Sequence, residues 1–140
     1  MRNGPPPLWP TPSLSGLDGL IASFESIGLD VRSGIDLPAG FVEPSVGVTV
    51  YRVVQEALTN AHRHGEGTAT VDVSERDGRI CVTVENRAAA AHRGSAPGSG
   101  LGLLGMRERV ESSNGRLTID NEGGLFRVRA EFSVTGEVVG

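Results

Sequence analysis

The sequence contains no lysine and a single cysteine, and each scarcity excludes a class of function. All 13 basic residues are arginine, so the lysine of a P-loop and the lysine of Schiff-base catalysis are both missing. One cysteine supports neither a disulfide framework nor a cysteine-based zinc site. No apolar run approaches the ~20 residues of a membrane-spanning helix, and no basic block marks a nucleic-acid surface. We therefore expect a soluble cytoplasmic domain, with no nucleic-acid partner and no direct membrane contact, whose parent protein could still be membrane-anchored.

The length and the distribution of proline define the expected domain organisation. A chain of 140 residues suffices for one domain with one hydrophobic core. Five of the 8 prolines fall within the first twelve residues, and such a stretch is stiff and extended. We interpret residues 1–12 as a linker, residues 13–135 as the domain and residues 136–140 as a tail.

Hydrophobic periodicity and turn residues predict three helices and five strands. The first predicted helix is capped by Ser13 and has its last apolar position at Phe24. The other predicted elements are helices at 45–64 and 103–113 and strands at 29–35, 68–76, 79–86, 116–121 and 125–134. Their order predicts an α+β fold, a two-layer α/β sandwich in which helices cover one face of a mixed, mostly antiparallel sheet.

The longest predicted helix carries a polar face near its C-terminal end. Glu56, Asn60, Arg63 and His64 follow one another at i, i+4, i+7 and i+8, so they share one side of the helix. We place this side well off the apolar stripe of the helix, which we predict at Val46, Val50, Val54, Leu58 and Ala61. A nucleoside triphosphate with Mg²⁺ needs such a set, namely an oxygen ligand, donors for phosphate and a carboxylate. From spacing alone, a merely solvated polar face is the more frequent interpretation.

A glycine-rich run precedes the last predicted helix. Gly100, Leu101, Gly102, Leu103 and Gly105 would let a phosphate approach backbone N–H groups at a helix N-terminus. The run matches the dinucleotide pattern G-x-G-x-x-G, but it follows a loop rather than the first strand of a doubly wound sheet, which argues against that interpretation. The alternative for the run alone is a flexible hinge.

A third candidate residue lies at the end of the second hairpin strand. Asn86 follows an alternating apolar strand, where a polar side chain beside an apolar pocket could read the edge of a base. The alternative is an asparagine that begins a turn, which is the commoner role at such a position.

Taken in order, these three pieces resemble the ATP-binding domain of sensor histidine kinases. The wider superfamily includes gyrase, Hsp90 and MutL and shares the Bergerat-type ATP-binding fold. The resemblance covers residues 14–134. The stretch 51–61 (YRVVQEALTNA) resembles the N box of the family. The stretch 100–110 (GLGLLGMRERV) resembles the G2 box of the subfamily that is paired with NarL-type response regulators.

The resemblance implies roles for the polar helix face and for the glycines. Asn60 would ligate Mg²⁺, and Glu56 would polarise the attacking group or a metal-bound water. Arg63 and His64 would face the phosphates of ATP. Residues 87–99 would form the ATP lid, and its hinge on the phosphate side would consist of the glycines at 100, 102 and 105.

The chain departs from the family pattern at the adenine-binding motif. Family members usually carry Asp in D-x-G-x-G, where this chain has Asn86, Arg87, Ala88, Ala89 and Ala90. An asparagine oxygen can still accept a hydrogen bond from the adenine amino group. Its amide can also turn over and offer a donor to guanine, so we expect weaker discrimination between ATP and GTP than in relatives with Asp.

The resemblance implies an ATP:protein-histidine phosphotransferase whose acceptor lies elsewhere. None of His62, His64 and His92 is followed by an acidic residue, as the acceptor histidine of this subfamily would be. We therefore interpret the chain as a catalytic fragment, monomeric in isolation. Its partners would be the dimerisation domain that bears the acceptor and a response regulator. The alternatives are a nucleotide-sensing pseudokinase and a serine kinase that acts on an anti-anti-sigma factor.

Overall fold

A computed structural model describes residues 12–37, 40–89 and 100–139. The described residues form three α-helices and five β-strands, in the predicted order. The helices are α1 (Leu17–Ser26), α2 (Pro44–His64) and α3 (Gly100–Ser112). The strands are β1 (Asp30–Asp36), β2 (Thr68–Arg76), β3 (Arg79–Arg87), β4 (Arg116–Glu122) and β5 (Leu125–Ser133).

The five strands form one mixed sheet, which confirms the predicted α+β class. Their order in space is β1-β2-β3-β5-β4. Strands β1 and β2 are parallel, because α2 carries the chain back between them, and every other neighbouring pair is antiparallel. The two antiparallel hairpins are closed by the Asp77-Gly78 and Gly123-Gly124 turns. All four residues have positive φ angles between 54° and 82°, the conformation that a two-residue hairpin turn needs.

Side chains alternate between the two faces of the sheet. In β2 and β3 every second residue is buried against the helices, and the residues between them are exposed or half-buried. The predicted apolar stripe of α2 is confirmed, since it is fully buried at Val46, Val50, Val54, Leu58 and Ala61. The helices therefore cover one face of the sheet and leave the other face polar.

Two element boundaries differ from the prediction in ways that concern the candidate site. Helix α3 begins at Gly100, three residues before the predicted start, so the glycine-rich run lies within the helix. At the N-terminal end, a 3-10 turn (Leu14–Gly16) precedes α1, and the Ser13 side chain makes no capping hydrogen bond to it. The predicted cap is therefore wrong, because α1 begins only at Leu17.

Helices α2 and α3 pack side by side in opposite directions. Thr49, near the start of α2, meets Ser113 beyond the end of α3, and their hydroxyl oxygens are 2.6 Å apart. Glu56, about two turns further along α2, lies against Gly102 in the first turn of α3. This seam aligns the C-terminal half of α2 with the N-terminus of α3.

The end of the chain packs on the same body. The Asn114 side-chain amide donates to the carbonyl of Gly136 over 2.9 Å, and the N–H of Val139 donates to the carbonyl of Asn114 over 3.1 Å. Within the described ranges, no helix combines the length and the apolar character that crossing a membrane requires.

Candidate functional site

The four polar residues predicted to share a face all lie in the C-terminal half of α2, but they differ in burial. Asn60 is only 6% exposed. Glu56 and His64 are half-buried, and Arg63 is exposed. The expectation that this face lies well off the apolar stripe is therefore wrong for Asn60, which borders the buried side of the helix beside Ala57 and Ala61. The four residues are not equivalent members of one solvated surface.

Asn60 carries a buried amide whose donor is not satisfied. Its Nδ2 atom has no hydrogen-bond partner among the described residues. A buried polar group without a partner costs about 1–3 kcal/mol of desolvation, and native proteins contain few of them. An acceptor oxygen from a ligand would remove this cost.

The carboxylate of Glu56 lies against the first turn of α3. A Cβ atom placed on Gly102 would come within 2.8 Å of Oε2 and 3.4 Å of Cδ of Glu56. Such a distance is shorter than real Cβ contacts, so only glycine fits at this position without a shift of its neighbour. The structure thus brings together two residues that the sequence analysis assigned to separate motifs.

The glycine-rich run forms the N-terminal turns of α3 rather than a loop. The N–H groups of the first turn of a helix have no partner within the helix and attract anions. Leu103 packs its side chain against the hydrophobic core, so a phosphate contact from this residue would come from its backbone N–H. Gly105 follows one turn after Gly102. Gly100 and Leu101 begin the helix, and their side chains lie outside the described residues.

Asn86 lies at the end of β3 on the face that is covered by helices. It is 7% exposed, and its Nδ2 atom donates to the carbonyl of Arg87 over 3.2 Å. Because the donor side of the amide is held in this way, Oδ1 is the side of Asn86 that can accept a hydrogen bond from a ligand. The residue is part of a strand, so the alternative of a turn-starting asparagine is wrong.

Gly65 is a residue that the sequence analysis treated only as the end of a helix. It ends α2 with an extended φ of −97°. A Cβ atom there would meet the carbonyl oxygen of Ala61 at 2.5 Å and Nδ2 of Asn86 at 2.9 Å. The absence of a side chain at 65 therefore lets β3 bring Asn86 against the end of α2, five residues beyond Asn60. A glycine directly after the polar helix face was the only sequence signal for this contact.

The first residues of the predicted lid are ordered parts of the fold. Arg87 ends β3, and Ala88 forms a β-bridge with Gly65. The N–H of Ala88 donates to the carbonyl of Gly124, and that of Ala89 donates to the carbonyl of His64, each over 2.8 Å. Assigning residues 87–89 to a lid is therefore wrong, since backbone hydrogen bonds fix them. Residues 90–99 of the predicted lid lie outside the described residues.

The donor set suits Mg²⁺ held together with phosphate rather than a metal site made of protein alone. Over residues 12–37, 40–89 and 100–139, no three His, Cys, Asp or Glu side chains gather as a metal site would need. Mg²⁺ is usually bound by one or two protein oxygens, by substrate phosphates and by water. The Asn60 amide offers one oxygen of this kind and a buried donor for a phosphate oxygen, so the residues present fit Mg·ATP.

A groove of about 390 Å³ opens where β2 begins and β3 ends. Asn86 and Arg87 line it, together with Thr70 of the neighbouring strand. Most of its lining, including Thr68, Thr70 and Glu85, belongs to the face of the sheet that points away from the helices.

The comparisons with known proteins show the family of the chain. Residues 45–136 match the family described as histidine kinase-, DNA gyrase B- and HSP90-like ATPase. The chain is 34% identical over 114 residues to the oxygen sensor histidine kinase NreB of Staphylococcus carnosus, covering 76% of this chain and 33% of NreB. It is 37% identical over 116 residues to the sensor histidine kinase YxjM of Bacillus subtilis, covering 75% of this chain and 26% of YxjM. The chain thus spans a third or less of these relatives.

Solved structures share the fold. The blue-light activated histidine kinase EL346 of Erythrobacter litoralis superposes with a TM-score of 0.72 at 19% identity, over 90% of this chain and 43% of that one. At this identity the likeness concerns the fold, a five-stranded, mostly antiparallel sheet with helices on one face.

Proposed function

This chain belongs to the family of histidine kinase-, DNA gyrase B- and HSP90-like ATPases, and from that premise we propose that it binds Mg·ATP for transfer of the γ-phosphoryl group to a histidine. The acceptor would lie on a separate dimerisation domain of a two-component sensor kinase, and a response-regulator aspartate would receive the phosphoryl group next. The relatives NreB and YxjM carry the name sensor histidine kinase, which supports this reaction class. A cytoplasmic location follows from the same proposal.

One observation carries the proposal, namely the buried amide of Asn60. Its Nδ2 atom lacks a partner among the described residues although the side chain is 94% buried. A phosphate oxygen would satisfy this donor, and the oxygen of the same amide is a ligand type that Mg²⁺ prefers. A residue that only stabilised the fold would have its buried donor satisfied by the protein.

The neighbouring residues supply the rest of the phosphate site in this proposal. Glu56 faces the first turn of α3 and would polarise the attacking group. The N–H groups of the first turn of α3, from Gly100 to Leu103, would bind phosphate oxygens, and Gly105 would follow one turn after Gly102. Arg63 and His64, at the end of α2, would add positive charge and a further donor. When bound, Mg²⁺ neutralises part of the phosphate charge, so catalysis here is positioning and charge neutralisation rather than covalent chemistry.

The base of ATP would lie against the end of β3. Asn86 has its amide nitrogen engaged with Arg87, so its oxygen would accept from the amino group of adenine. The absence of a side chain at Gly65 lets Asn86 lie against the end of α2. The nucleotide would therefore span from Asn86 at the base to Asn60 and Glu56 at the phosphates.

A nucleotide-sensing pseudokinase is the second candidate, and the segment after Asn86 favours it. The family motif has glycines where this chain has Ala88 and Ala90, and Ala88 and Ala89 are held by hydrogen bonds to neighbouring elements. A segment fixed in this way has less freedom to rearrange around a nucleotide. A pseudokinase of this kind would still bind the nucleotide but would not transfer its phosphoryl group.

Two measurements test the proposal and separate the candidates. The first is titration of the protein with ATP, with and without Mg²⁺. The second is incubation with ATP labelled at the γ-phosphate, in the presence and absence of a supplied acceptor-histidine domain. We expect Mg-dependent binding, no label on this chain alone and acid-labile label on the acceptor. Binding without any label on the acceptor would favour the pseudokinase, and absence of Mg-dependent binding would contradict both.

A further inference from the structure

The interface between α2 and α3 has a hydrogen bond at one end and a close steric contact at the other. At the first end, the hydroxyls of Thr49 and Ser113 are hydrogen-bonded over 2.6 Å. At the second end, the carboxylate of Glu56 fills the space next to the Cα atom of Gly102. In the second contact, the charged side chain of Glu56 lies where a side chain on residue 102 would have to be.

The atoms involved decide what would move if a side chain were added at 102. Its Cβ would be 2.8 Å from Oε2 and 3.4 Å from Cδ of Glu56. Both are at the far end of a flexible side chain, so the carboxylate would be displaced rather than the helix backbone. An added methyl group would therefore change where the carboxylate lies while leaving α3 folded.

We propose that Gly102 is a positioning residue. Because it has no side chain, it leaves room beside α3 for the Glu56 carboxylate and so determines the position of that carboxylate. This inference rests on the proposed function, in which Glu56 polarises the attacking group. Gly102 would then act on transfer through Glu56, in addition to any contact between its own N–H and phosphate. A displacement of a catalytic group by about 1 Å can reduce a rate by about two orders of magnitude.

Other helical glycines provide matched comparisons. A Cβ on Gly105, one turn later in α3, would meet only Nη1 of Arg109 at 3.7 Å, which is ordinary contact. A Cβ on Gly47 in α2 would meet Leu14 at 3.4 Å or more. A glycine-to-alanine change at any of these positions raises helix propensity by a similar amount, so only Gly102→Ala combines this change with a displaced carboxylate.

The first test compares the transfer kinetics of Gly102→Ala with those of wild type and of Gly47→Ala. For Gly102→Ala we expect the Kd for Mg·ATP to stay within about threefold of wild type and kcat for transfer to the supplied acceptor domain to fall at least about tenfold. For Gly47→Ala we expect both values to stay within about twofold of wild type, because Gly47 lies outside the site. An unchanged kcat in Gly102→Ala would overturn the inference.

The second test asks whether Gly102 acts through Glu56 or by giving the phosphate room. Gly102→Ala is measured again in a Glu56→Ala background, where the crowded carboxylate is absent. If Gly102 acts through Glu56, the added substitution changes neither the Kd for Mg·ATP nor the residual transfer. A rise in Kd of at least about tenfold in both backgrounds would overturn the inference and assign Gly102 to direct phosphate binding.

The third test does not depend on nucleotide at all. The ¹³C chemical shift of the Glu56 carboxyl carbon is measured in the unliganded protein. We expect it to change in Gly102→Ala and to match wild type in Gly105→Ala. An unchanged shift in Gly102→Ala would overturn the contact itself. If wild type fails to bind Mg·ATP while this shift moves as expected, the proposed function fails and the Gly102–Glu56 contact stands.

Discussion

Two buried polar side chains of the same helix show opposite behaviour. Thr49 and Asn60 lie about three turns apart in α2 and are 7% and 6% exposed. The Thr49 hydroxyl donates to the carbonyl of Ser45 over 2.9 Å and accepts from Ser113 over 2.6 Å. The Asn60 amide leaves its Nδ2 donor without a partner in the part of the chain that the structure describes.

Thr49 and Asn60 are therefore equally buried but differ in whether their polar groups have hydrogen-bond partners. At Thr49 the protein itself satisfies the polar group, and the result is a link between α2 and α3. At Asn60 no described residue compensates the cost of the buried donor, and we propose that a ligand does. The comparison predicts that substitutions at the two ends separate stability from nucleotide binding.

The largest effect is expected at Glu56, on the side of the helix that carries the site. Glu56→Gln keeps the size of the side chain and removes its charge and basicity. We expect transfer to the acceptor to fall by about 10²–10⁴-fold, the usual contribution of a positioned acid or base, with the Kd for Mg·ATP changed only a few-fold. Single-turnover transfer at saturating ATP measures this, and a rate near that of wild type would remove Glu56 from the chemistry.

Asn60→Ala should abolish Mg-dependent binding without unfolding the domain. Loss of a metal ligand together with a phosphate donor should weaken Mg·ATP binding by about 100-fold or more, the scale of two charge-assisted interactions. The free energy of unfolding should stay near that of wild type or rise, because the substitution removes an unsatisfied buried donor. Titration calorimetry and urea unfolding provide the two values. Normal Mg·ATP affinity in this variant would show that Asn60 is not the ligand.

Asn86 should control which base is bound. The sequence alone predicts weak discrimination between ATP and GTP, because the Asn86 amide could turn over and donate to guanine. In the structure that rotation would break the hydrogen bond to Arg87. We therefore expect ATP to be preferred over GTP by about 1–3 kcal/mol, the scale of a buried polar group left unpaired. Asn86→Ala should bring the two dissociation constants close together. The test is titration of both proteins with both nucleotides. The same ratio in both proteins would mean that Asn86 does not face the base.

The smallest effect is expected at the other end of α2, and it concerns stability alone. Thr49→Val keeps the shape of the side chain, removes the hydroxyl and leaves Ser113 without this partner. We expect a loss of about 1–2 kcal/mol in the free energy of unfolding and an unchanged Kd for Mg·ATP at a temperature where the variant is folded. A higher Kd for Mg·ATP in this variant would contradict the distinction between a structural end of α2 at Thr49 and a nucleotide-binding end at Asn60.

Much of the fold follows from local patterns in the sequence. Two-residue periodicity and the Asp77-Gly78 turn predict the first hairpin with only one residue of error at its end. The apolar stripe of α2 predicts the helix and its buried side, because period and burial coincide there. The predicted start of α3 is three residues too late, because glycine is a poor helix former and the pattern does not favour a helix there.

The sequence offers candidate residues for the site, but their arrangement does not follow from it. Spacing places Glu56 and Asn60 on one helix face, yet it does not show that Asn60 is buried or that Glu56 touches Gly102. The contact between Gly65 and Asn86 joins positions 21 residues apart in sequence, and no local pattern reports it. Such contacts depend on how β3 and α3 meet the end of α2, which is a property of the assembled sheet.

The most direct test of the account follows the side-chain amide of Asn60 by NMR during a titration with Mg·ATP. We predict that the Asn60 NH₂ signals shift and saturate with bound nucleotide and become protected from exchange with solvent, while the methyl signal of Thr49 stays in place. The account would be contradicted if other signals showed saturation with Mg·ATP while those of Asn60 stayed at their unliganded positions, or if Thr49 moved as far as Asn60.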